Sequence, residues 1–430
     1  MKHRSLHPII LTALLLSLFG GSLIFTPAHA ASIVVNTNAD TVADDGFCSL
    51  REAIANANND STLYATAGEC NSGSGADVIT FAASLSGSTI TLGSNLNINE
   101  DLTITGPGAS SLILDGNHTT QIFIINNLET VTISGMTIMN GNSIYNDGGA
   151  IYNYGYLTVQ NVTFKDNSAT ASDYSSGGAI FCDGSIGATL TVSISVFDGN
   201  QATWRGGAID GCAALTITDS EFTNNTVTGP SIDTDPNHPA GGAISNSYTL
   251  NITGSQFNNN TVTKGISSIS WGGAIYNAGT ASISNSTLFG NSADLGGGMY
   301  NSDSSPTLTN VTLSNNSANY GGGMYNRDGS PTLTNVTFSG NSASTSGGGM
   351  FNNDSSPTLS QTVIANSTGG DCVITRGTVT AFFTLIEDTG ANACGLTTGV
   401  NGNIIGSDPI LGPLANNGGF TQTHALLAGS

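Results

Sequence analysis

The sequence predicts an all-β protein whose short strands wind into a parallel β-solenoid, with one short helix capping its N-terminal end. Two observations predict this fold. Glycine makes up 56 of the 430 residues and only 9% of the residues are charged, a composition that disfavours a helical protein. A Gly-Gly-(Ala/Gly)-(Ile/Met) signature also recurs eight times, 24 to 35 residues apart, which is typical of stacked coils.

The eight repeats share one internal register. Their signatures begin at Gly148, Gly177, Gly206, Gly241, Gly272, Gly296, Gly321 and Gly347. An apolar anchor follows in each repeat, at Phe164, Phe197, Phe222, Phe257, Leu288, Leu313, Phe338 and Val363. An asparagine comes three residues after every anchor, at Asn167, Asn200, Asn225, Asn260, Asn291, Asn316, Asn341 and Asn366. Because so short a unit cannot bury its apolar face alone, the repeats must stack, and rows of like residues are expected.

Residues 1–30 have the pattern of a secretory signal peptide. Lys2 and Arg4 precede an apolar run, and Ala28-His29-Ala30 is a small-x-small cleavage site. The run is shorter than the roughly 20 residues that a membrane span needs. We therefore expect a secreted chain, extracellular or at the cell surface, without a membrane span in its mature part.

The remainder of the chain divides into a cap, a body of coils and a second cap. Ser49 and Glu52 form a capping box at the start of the only predicted helix, within residues 47–58. Shorter apolar runs before residue 140 predict about three less regular coils, and the period breaks after residue 370. The predicted segments are 1–30 for the signal peptide, 31–76 for the N-terminal cap, 77–370 for the β-helix and 371–430 for the C-terminal cap.

Six cysteines follow the predicted signal peptide, and an oxidising compartment favours disulfides between them. Six cysteines allow fifteen pairings, and none of them forms the CxxC pair of a compact zinc site. Their order along the chain favours three local pairs. We predict Cys48 with Cys70, Cys182 with Cys212, and Cys372 with Cys394.

Three stretches resemble known families. Residues 48–54, Cys-Ser-Leu-Arg-Glu-Ala-Ile, resemble the CSLREA motif that follows the signal peptide in many bacterial secreted proteins. Residues 403–427 resemble the choice-of-anchor Q region near the C-terminus of such chains, and the Gly-Gly-Ala-Ile and Phe-x-x-Asn repeats are similar to those of chlamydial polymorphic outer-membrane proteins. The resemblance implies a right-handed, pectate-lyase-like parallel β-helix at the cell surface or outside the cell. It supplies no catalytic residues.

The charge balance restricts the classes of partner. The chain has 8 Lys and Arg against 29 Asp and Glu, a formal net charge of -21, which disfavours nucleic acid, anionic lipids and polyanionic glycans. A polysaccharide lyase needs a base and cations beside the uronate carboxylate, but the few basic residues occupy different coil positions. No nucleophile, phosphate-loop or dinucleotide motif is present. We therefore predict no catalytic and no cofactor-binding residues, and we do not favour an enzyme.

One row of acidic residues invites a functional interpretation. Asp303, Asp328 and Asp354 each lie seven residues after the first glycine of their repeat, so stacking would place them one strand spacing apart. Such a row could serve a glycoside hydrolase or bind calcium. Each residue also begins an Asp-(Ser/Gly)-Ser-Pro turn, in which aspartate bonds to its own backbone. We favour the turn and predict no metal site.

Binding is the better candidate for a function. Repeat length varies mainly between the asparagine and the next Gly-Gly, so the inserts emerge along one edge of the rod, and the longest is 226–240. Candidate ligand-binding residues on or near this edge are Trp204, Trp271, Tyr174, Tyr320 and His238. These rings either bind sugars or a partner or simply cover the coil edge. We expect a structural or adhesive protein that binds glycans or cell-surface proteins; the alternative is a carbohydrate-active enzyme acting on a neutral glycan.

Overall fold

The computed structural model describes residues 31–126, 128–143, 147–230, 238–265 and 269–430. The predicted signal peptide lies outside these residues. The described chain is a right-handed parallel β-helix, as the sequence predicts, because strands of successive coils pair in parallel along the whole rod. Each coil contributes strands to two long sheets, and several coils add a short strand at a third face.

Sheet 1 contains 24 strands, and most coils contribute two of them, separated by a bend. Its strands are Ser32–Val35, Asp77–Phe81, Ser88–Thr91, Leu102–Thr105, Leu112–Asp115, Thr130–Met139, Tyr156–Lys165, Thr189–Ser193, Val196–Asp198, Ala214–Thr218, Glu221–Thr223, Thr249–Thr253, Gln256–Asn258, Thr280–Ser284, Thr287–Phe289, Thr307–Thr309, Thr312–Ser314, Thr332–Thr334, Thr337–Ser339, Thr358–Ser360, Val363–Ala365, Thr380–Phe382, Leu385–Ile386 and Ile404–Ile405.

Sheet 2 contains 11 strands, most of which follow a Gly-Gly signature. Its strands are Leu96–Ile98, Phe123–Ile125, Ile151–Asn153, Ile180–Cys182, Ile209–Asp210, Ile244–Asn246, Ile275–Asn277, Met299–Ser302, Met324–Arg327, Met350–Asn353 and Cys372–Ile374. The first residue of each of these strands is fully or almost fully buried.

A third, narrow face is formed by residues that the sequence assigns to edge inserts. Its strands are Ser168–Ala169, Gln201–Ala202, Thr226–Val227 and Thr261–Val262, with a separate pair at Ser317–Tyr320 and Ser342–Ser346. Their inward side chains form a small apolar cluster of Ala202, Val227, Val262 and Ala293. The variable inserts therefore begin later in each coil than the sequence indicates.

The predicted phenylalanine row is a continuous stack inside the rod. The rings of Phe164, Phe197, Phe222 and Phe257 are fully buried, with centroids 4.8, 4.6 and 4.8 Å apart and nearly parallel planes. The spacing equals the strand spacing of a parallel sheet, so each coil stacks its anchor directly on the previous one. The core is one apolar column along the rod.

The predicted asparagine row is a buried hydrogen-bonded amide ladder. It consists of Asn167, Asn200, Asn225, Asn260, Asn291, Asn316 and Asn341, all fully buried. Each Nδ2 donates to the Oδ1 of the next member at 2.9 to 3.0 Å. The backbone N–H of each donates to the same Oδ1, so the ladder ties turns of successive coils together.

The register predicted for the last repeat is wrong by one residue. Phe338 pairs with Ile364 rather than with Val363, and Ile364 is the buried member of the anchor row. Ser367 therefore takes the place of the ladder asparagine, and Asn366 is exposed with a left-handed φ of 58°. The sequence spacing misled here because two apolar residues stand side by side.

The N-terminal end is capped by the helix that the sequence predicts. The helix spans Leu50–Asn58, and both hydrogen bonds of the capping box between Ser49 and Glu52 are present. Parallel pairing begins before the predicted coil range 77–370, at Ser32–Val35, and continues beyond it to Ile404–Ile405.

The structure contains three disulfides, and their pairs are those that the sequence predicts: Cys48–Cys70, Cys182–Cys212 and Cys372–Cys394. The segment after the last coil forms an antiparallel hairpin of Leu411–Ala415 and Thr423–Leu426. No helix within the described ranges is long and apolar enough to cross a membrane.

Candidate functional site

The outer face of sheet 2 presents one side chain from each coil, directly after the buried Ile or Met. Eight of these form what we call the outer row: Tyr152, Phe181, Asp210, Ser245, Tyr276, Tyr300, Tyr325 and Phe351, each paired in register with the next. Six of the eight are aromatic. The two that are not, Asp210 and Ser245, are neighbours in the middle of the row.

The C-terminal part of the outer row is a closed aromatic stack. Tyr276, Tyr300, Tyr325 and Phe351 have centroids 5.1 to 5.9 Å apart along the row, and all four are buried. Trp271 lies parallel to Tyr300 at 5.2 Å. Burial raises the pKa of the tyrosine hydroxyls, so they stay protonated. Because the ring faces contact one another, this stretch offers little surface to a ligand.

The row of large side chains is interrupted at the coil that carries Ser245, a place that we call the notch. The coil corners beside the outer row are also in register: Arg205 is bridged to Ala240, and Ala240 to Trp271. The middle coil thus presents two small side chains, Ala240 and Ser245, between neighbours that present long ones. The walls of the notch are Arg205 with Asp210 on one side and Trp271 with Tyr276 on the other.

Arg205 reaches across this notch. Its guanidinium carbon lies 5.4 Å from the centroid of Tyr276 and 5.9 Å from that of Trp204, distances at which a cation is attracted to a ring face. The same charge lowers the pKa of Asp210, but burial outweighs it and raises that pKa above its ordinary value. Asp210 is 8% exposed and Ser245 3% exposed.

A second carboxylate lies close to Asp210. The Asp147 Oδ1 accepts a hydrogen bond from the backbone N–H of Ser176 at 2.6 Å, and Ser176 is bridged to Arg205. Burial and, to a smaller extent, the charge of Asp210 raise the pKa of Asp147 to about 6, against the Ser176 hydrogen bond. The site therefore holds two acids that protonate more readily than ordinary aspartates.

Two buried N–H groups around the notch, Arg205 Nε and Trp271 Nε1, make no hydrogen bond within the described residues. The Ser245 hydroxyl lies close enough to the Asp210 carboxylate to lower its pKa. A buried polar group without a partner costs about 1–3 kcal/mol, so native structures contain few of them. Two such donors at one notch, beside two carboxylates and a hydroxyl, mark it as a polar site. Two N–H donors, a hydroxyl and carboxylate acceptors are suited to a ligand that carries hydroxyl groups.

Four of the five predicted edge residues lie around the same notch, whereas Tyr320 lies further along the rod and meets Phe351 edge to face at 5.1 Å. Trp204 is almost fully buried and meets Tyr174 edge to face at 5.2 Å. Trp271 meets His238 in the same way at 4.6 Å. Tyr174 is largely exposed. Trp271 lines the notch directly, whereas Trp204 supports Arg205 from behind; the binding role of all four stays a prediction.

The three predicted aspartates lie elsewhere, at exposed turns. Asp303, Asp328 and Asp354 have left-handed φ values of 50°, 54° and 50°. Arg327 contacts Asp328 at 3.2 Å and Arg376 contacts Asp354 at 3.1 Å. Within the described ranges, the single group of three acids with ligand atoms within 4.8 Å of one another is a different one: Asp60, Asp77 and Glu100.

Sequence reasoning missed Asp210, Ser245, Arg205 and Asp147. The signal was present for the first two. The residue after Gly-Gly-x-(Ile/Met) is aromatic in six of the eight repeats, and it changes to Asp and Ser only in two adjacent repeats. When a position that is aromatic in most repeats is polar in two adjacent repeats, stacking places the two polar residues side by side. Such a pair marks a candidate site.

The comparison with protein families matches only two segments of the chain. Residues 161–183 and 194–211 match the Chlamydia polymorphic membrane protein repeat. The comparison with curated proteins finds no relative. The names CSLREA and choice-of-anchor Q stay predictions.

Several solved structures are similar in fold. An alginate lyase in complex with G6 covers 82% of this chain and 86% of its own, with 11% identity and a TM-score of 0.38. A PL6 alginate lyase with a trisaccharide covers 91% of both chains, with 11% identity and a TM-score of 0.36. The GH87 α-1,3-glucanase catalytic unit from Streptomyces thermodiastaticus covers 77% and 65%, with 15% identity and a TM-score of 0.35. These similarities concern the fold alone.

Proposed function

We propose that this protein is a secreted or cell-surface β-helix that binds a neutral glycan at the notch between Arg205 and Trp271. The observation that carries the proposal is the pair of buried N–H donors on Arg205 and Trp271 that have no partner within the described residues. The rod supplies a rigid support, and a structural or adhesive role follows from a binding site on such a support.

The chemistry of the notch favours a neutral sugar over a charged one. Sugar hydroxyls can accept from the Arg205 and Trp271 N–H groups and donate to the Asp210 carboxylate. Two carboxylates at the site and a formal net charge of -21 oppose a polyanionic ligand. Partly exposed rings of Tyr152 and Phe181 flank the site on the other side and provide apolar faces.

Three features support placement outside the cytoplasm. The three disulfides fit an oxidising compartment, the first 30 residues have the pattern of a signal peptide, and two coils match an outer-membrane protein repeat. Detection of the processed chain in culture medium or on intact cells would test this placement.

The binding proposal is tested by removing donors without changing the shape of the notch. Trp271→Phe deletes one unpartnered donor, and Ser245→Ala deletes the hydroxyl beside Asp210. Trp204→Phe is the matched control, because the Trp204 indole N–H is not among the buried unpartnered groups. Titration calorimetry would use cellohexaose, laminarihexaose, xylohexaose and mannohexaose, with hexamannuronate as the anionic probe.

We expect each of the two variants to weaken binding of the preferred neutral hexasaccharide about two- to tenfold, the value of one hydrogen bond, while its thermal midpoint falls no further than that of Trp204→Phe. A structural role for these donors predicts the reverse, a lower midpoint with unchanged affinity. That result, or stronger binding of hexamannuronate, would contradict the proposal.

Hydrolysis of the bound glycan is the second candidate, and the Asp147 and Asp210 pair favours it. A glycoside hydrolase needs two carboxyl groups, one of which is protonated near neutral pH, and both pKa values are raised here. Release of reducing ends from the same hexasaccharides would show it. If both Asp147→Asn and Asp210→Asn abolished this release, the two carboxyl groups would be assigned to hydrolysis. Binding of a hexasaccharide without release of reducing ends would instead support a binding protein.

A further inference from the structure

The C-terminal hairpin folds back over sheet 1 and is fixed there by hydrogen bonds to coils more than 100 residues earlier. Thr421 Oγ1 donates to the Asn285 carbonyl at 3.2 Å, and Thr287 Oγ1 donates to the Gln422 carbonyl at 2.7 Å. His424 Nε2 lies 3.0 Å from Ser314 Oγ, and its Nδ1 lies 2.7 Å from the Gly412 carbonyl. The hairpin is thus docked at three successive points.

The turn of this hairpin presents an exposed aromatic ring. Phe420 is 85% exposed, the most exposed large apolar side chain in the described part of the chain. The turn that holds it is braced internally, because Asn417 Nδ2 donates to the Thr423 carbonyl at 2.9 Å and Gly418 N–H donates to Asn416 Oδ1 at 3.0 Å. The ring stands on a docked, self-bonded turn.

Two grooves run along the rod beneath this ring. One has a volume of about 350 Å³ and is lined by Phe420 and Thr423 from the hairpin and by Asp219, Asn285 and Asn310 from the bend between the two strands of sheet 1. The other has a volume of about 250 Å³ and lies toward the N-terminus, between Phe420 and the residues Ile194, Asp219, Glu221 and Gln256. Phe420 therefore overhangs a continuous stretch of the bend.

The floor of these grooves carries regularly spaced amides and carboxylates. Asn310 Nδ2 donates to Asn285 Oδ1 at 3.0 Å, and Asn335 Nδ2 donates to Asn310 Oδ1 at 2.7 Å. These asparagines are exposed, unlike the buried amide ladder. Each amide has a second N–H and a second acceptor lone pair beyond those the row uses, so the row can bond to a ligand laid along it.

We propose that Phe420 and the row of Asp219, Asn285 and Asn310 form a second glycan-binding site, on sheet 1 and separate from the notch on sheet 2. The aromatic face packs on a sugar ring, and the amides and the carboxylate bond to its hydroxyl groups. The ligand is neutral, because Asp219 and Glu221 repel an anion. Two sites on one rigid rod raise the effective concentration of a long glycan at each site.

The experiment measures hexasaccharide binding to the full chain in Phe420→Ala, with Phe47→Ala as the control. Phe47 is also an exposed phenylalanine, at 54%, but lies in the N-terminal cap. Both variants are repeated in the Ser245→Ala/Trp271→Phe background, which impairs the notch and leaves sheet 1 unchanged. Titration uses the same neutral hexasaccharides and hexamannuronate, up to millimolar concentration.

We expect Phe420→Ala to weaken neutral hexasaccharide binding about three- to tenfold in both backgrounds, as removal of a stacked ring does, while Phe47→Ala changes nothing. Phe420→Tyr should restore binding. The second site would be overturned if Phe420→Ala left the affinity unchanged in both backgrounds, or if no neutral hexasaccharide bound in the notch-impaired background. Either result would leave the notch proposal standing. Loss confined to the notch variants supports the first site alone.

Discussion

The strongest stability prediction concerns Asn260, in the middle of the buried amide ladder. Its Nδ2 donates to Asn291 Oδ1 at 3.0 Å and to the Phe222 carbonyl at 2.9 Å. Its Oδ1 accepts from the backbone N–H of Asn225 at 3.0 Å and from Asn225 Nδ2 at 2.9 Å. Asn260→Ala removes all four bonds at once, in a site that water cannot reach.

The loss in the free energy of unfolding can be worked out from the hydrogen bonds that the partners of Asn260 lose. The buried N–H of Asn225 is left without an acceptor, at a cost of about 1–3 kcal/mol, and the other three lost bonds cost about 1 kcal/mol each. We therefore expect Asn260→Ala to lower the free energy of unfolding by about 5 kcal/mol. Because coils contact only their neighbours, the loss also weakens the coupling between the two halves of the rod.

Urea unfolding followed by far-ultraviolet circular dichroism and by tryptophan fluorescence measures this effect, since Trp204 and Trp271 both lie in the central coils. The control is Asn366→Ala, which removes the exposed asparagine that lies outside the ladder. It should cost about 1 kcal/mol, because alanine disfavours the left-handed φ of 58°. Equal losses in the two variants would refute the assignment of the ladder as a stabilising element.

Two further changes have clear expected signs. The folded-state pKa of Asp147, about 6, lies above its ordinary value of 3.8. Folding therefore favours the protonated carboxyl, and the free energy of unfolding falls as pH rises from 4 through 6. In urea titrations, Asp147→Asn should remove this fall, adding about 2 kcal/mol at pH 7 after solvent screening and nothing at pH 4. A Cβ on Gly207 would lie 2.1 Å from the Gly242 carbonyl oxygen, so Gly207→Ala should lower the thermal midpoint strongly, whereas Gly419→Ala, with 3.7 Å of space, should not.

Sequence patterns predicted the fold well because the coil repeats its own contacts. The anchor row and the asparagine row each follow from one spacing, and stacking converts that spacing into a column of rings and a ladder of amides. The same reasoning misplaced Val363 and Asn366, because spacing alone cannot decide which of two adjacent apolar residues points inward. The sequence also did not predict a second buried amide row, which runs from Asn246 through Asn277 to Asn352.

The candidate sites could not be predicted in the same way, because they arise where coils differ from one another. Arg205 and Asp147 each stand directly before the first glycine of their repeat, but the residue type at this position changes from coil to coil, so no row of like residues marks them. Their proximity to Asp210 depends on how the coil corners stack, which the bridges between Ser176, Arg205 and Ala240 establish. Phe420 and Asp219 line the same grooves only because the hairpin docks on coils that lie more than 100 residues earlier in the chain.

The energetics of a solenoid explain why such departures point to function. In a row where like stacks on like, having Asp210 and Ser245 in place of two aromatic residues between Phe181 and Tyr276 forfeits three stacking contacts, worth about 0.5–1.5 kcal/mol each. It also buries a carboxylate whose pKa is raised. Continuing the stack of Tyr276 through these two positions would be the more stable choice. The rod keeps the polar pair in its central coils, and a ligand bound there as proposed would recover the energy that the break in the row costs.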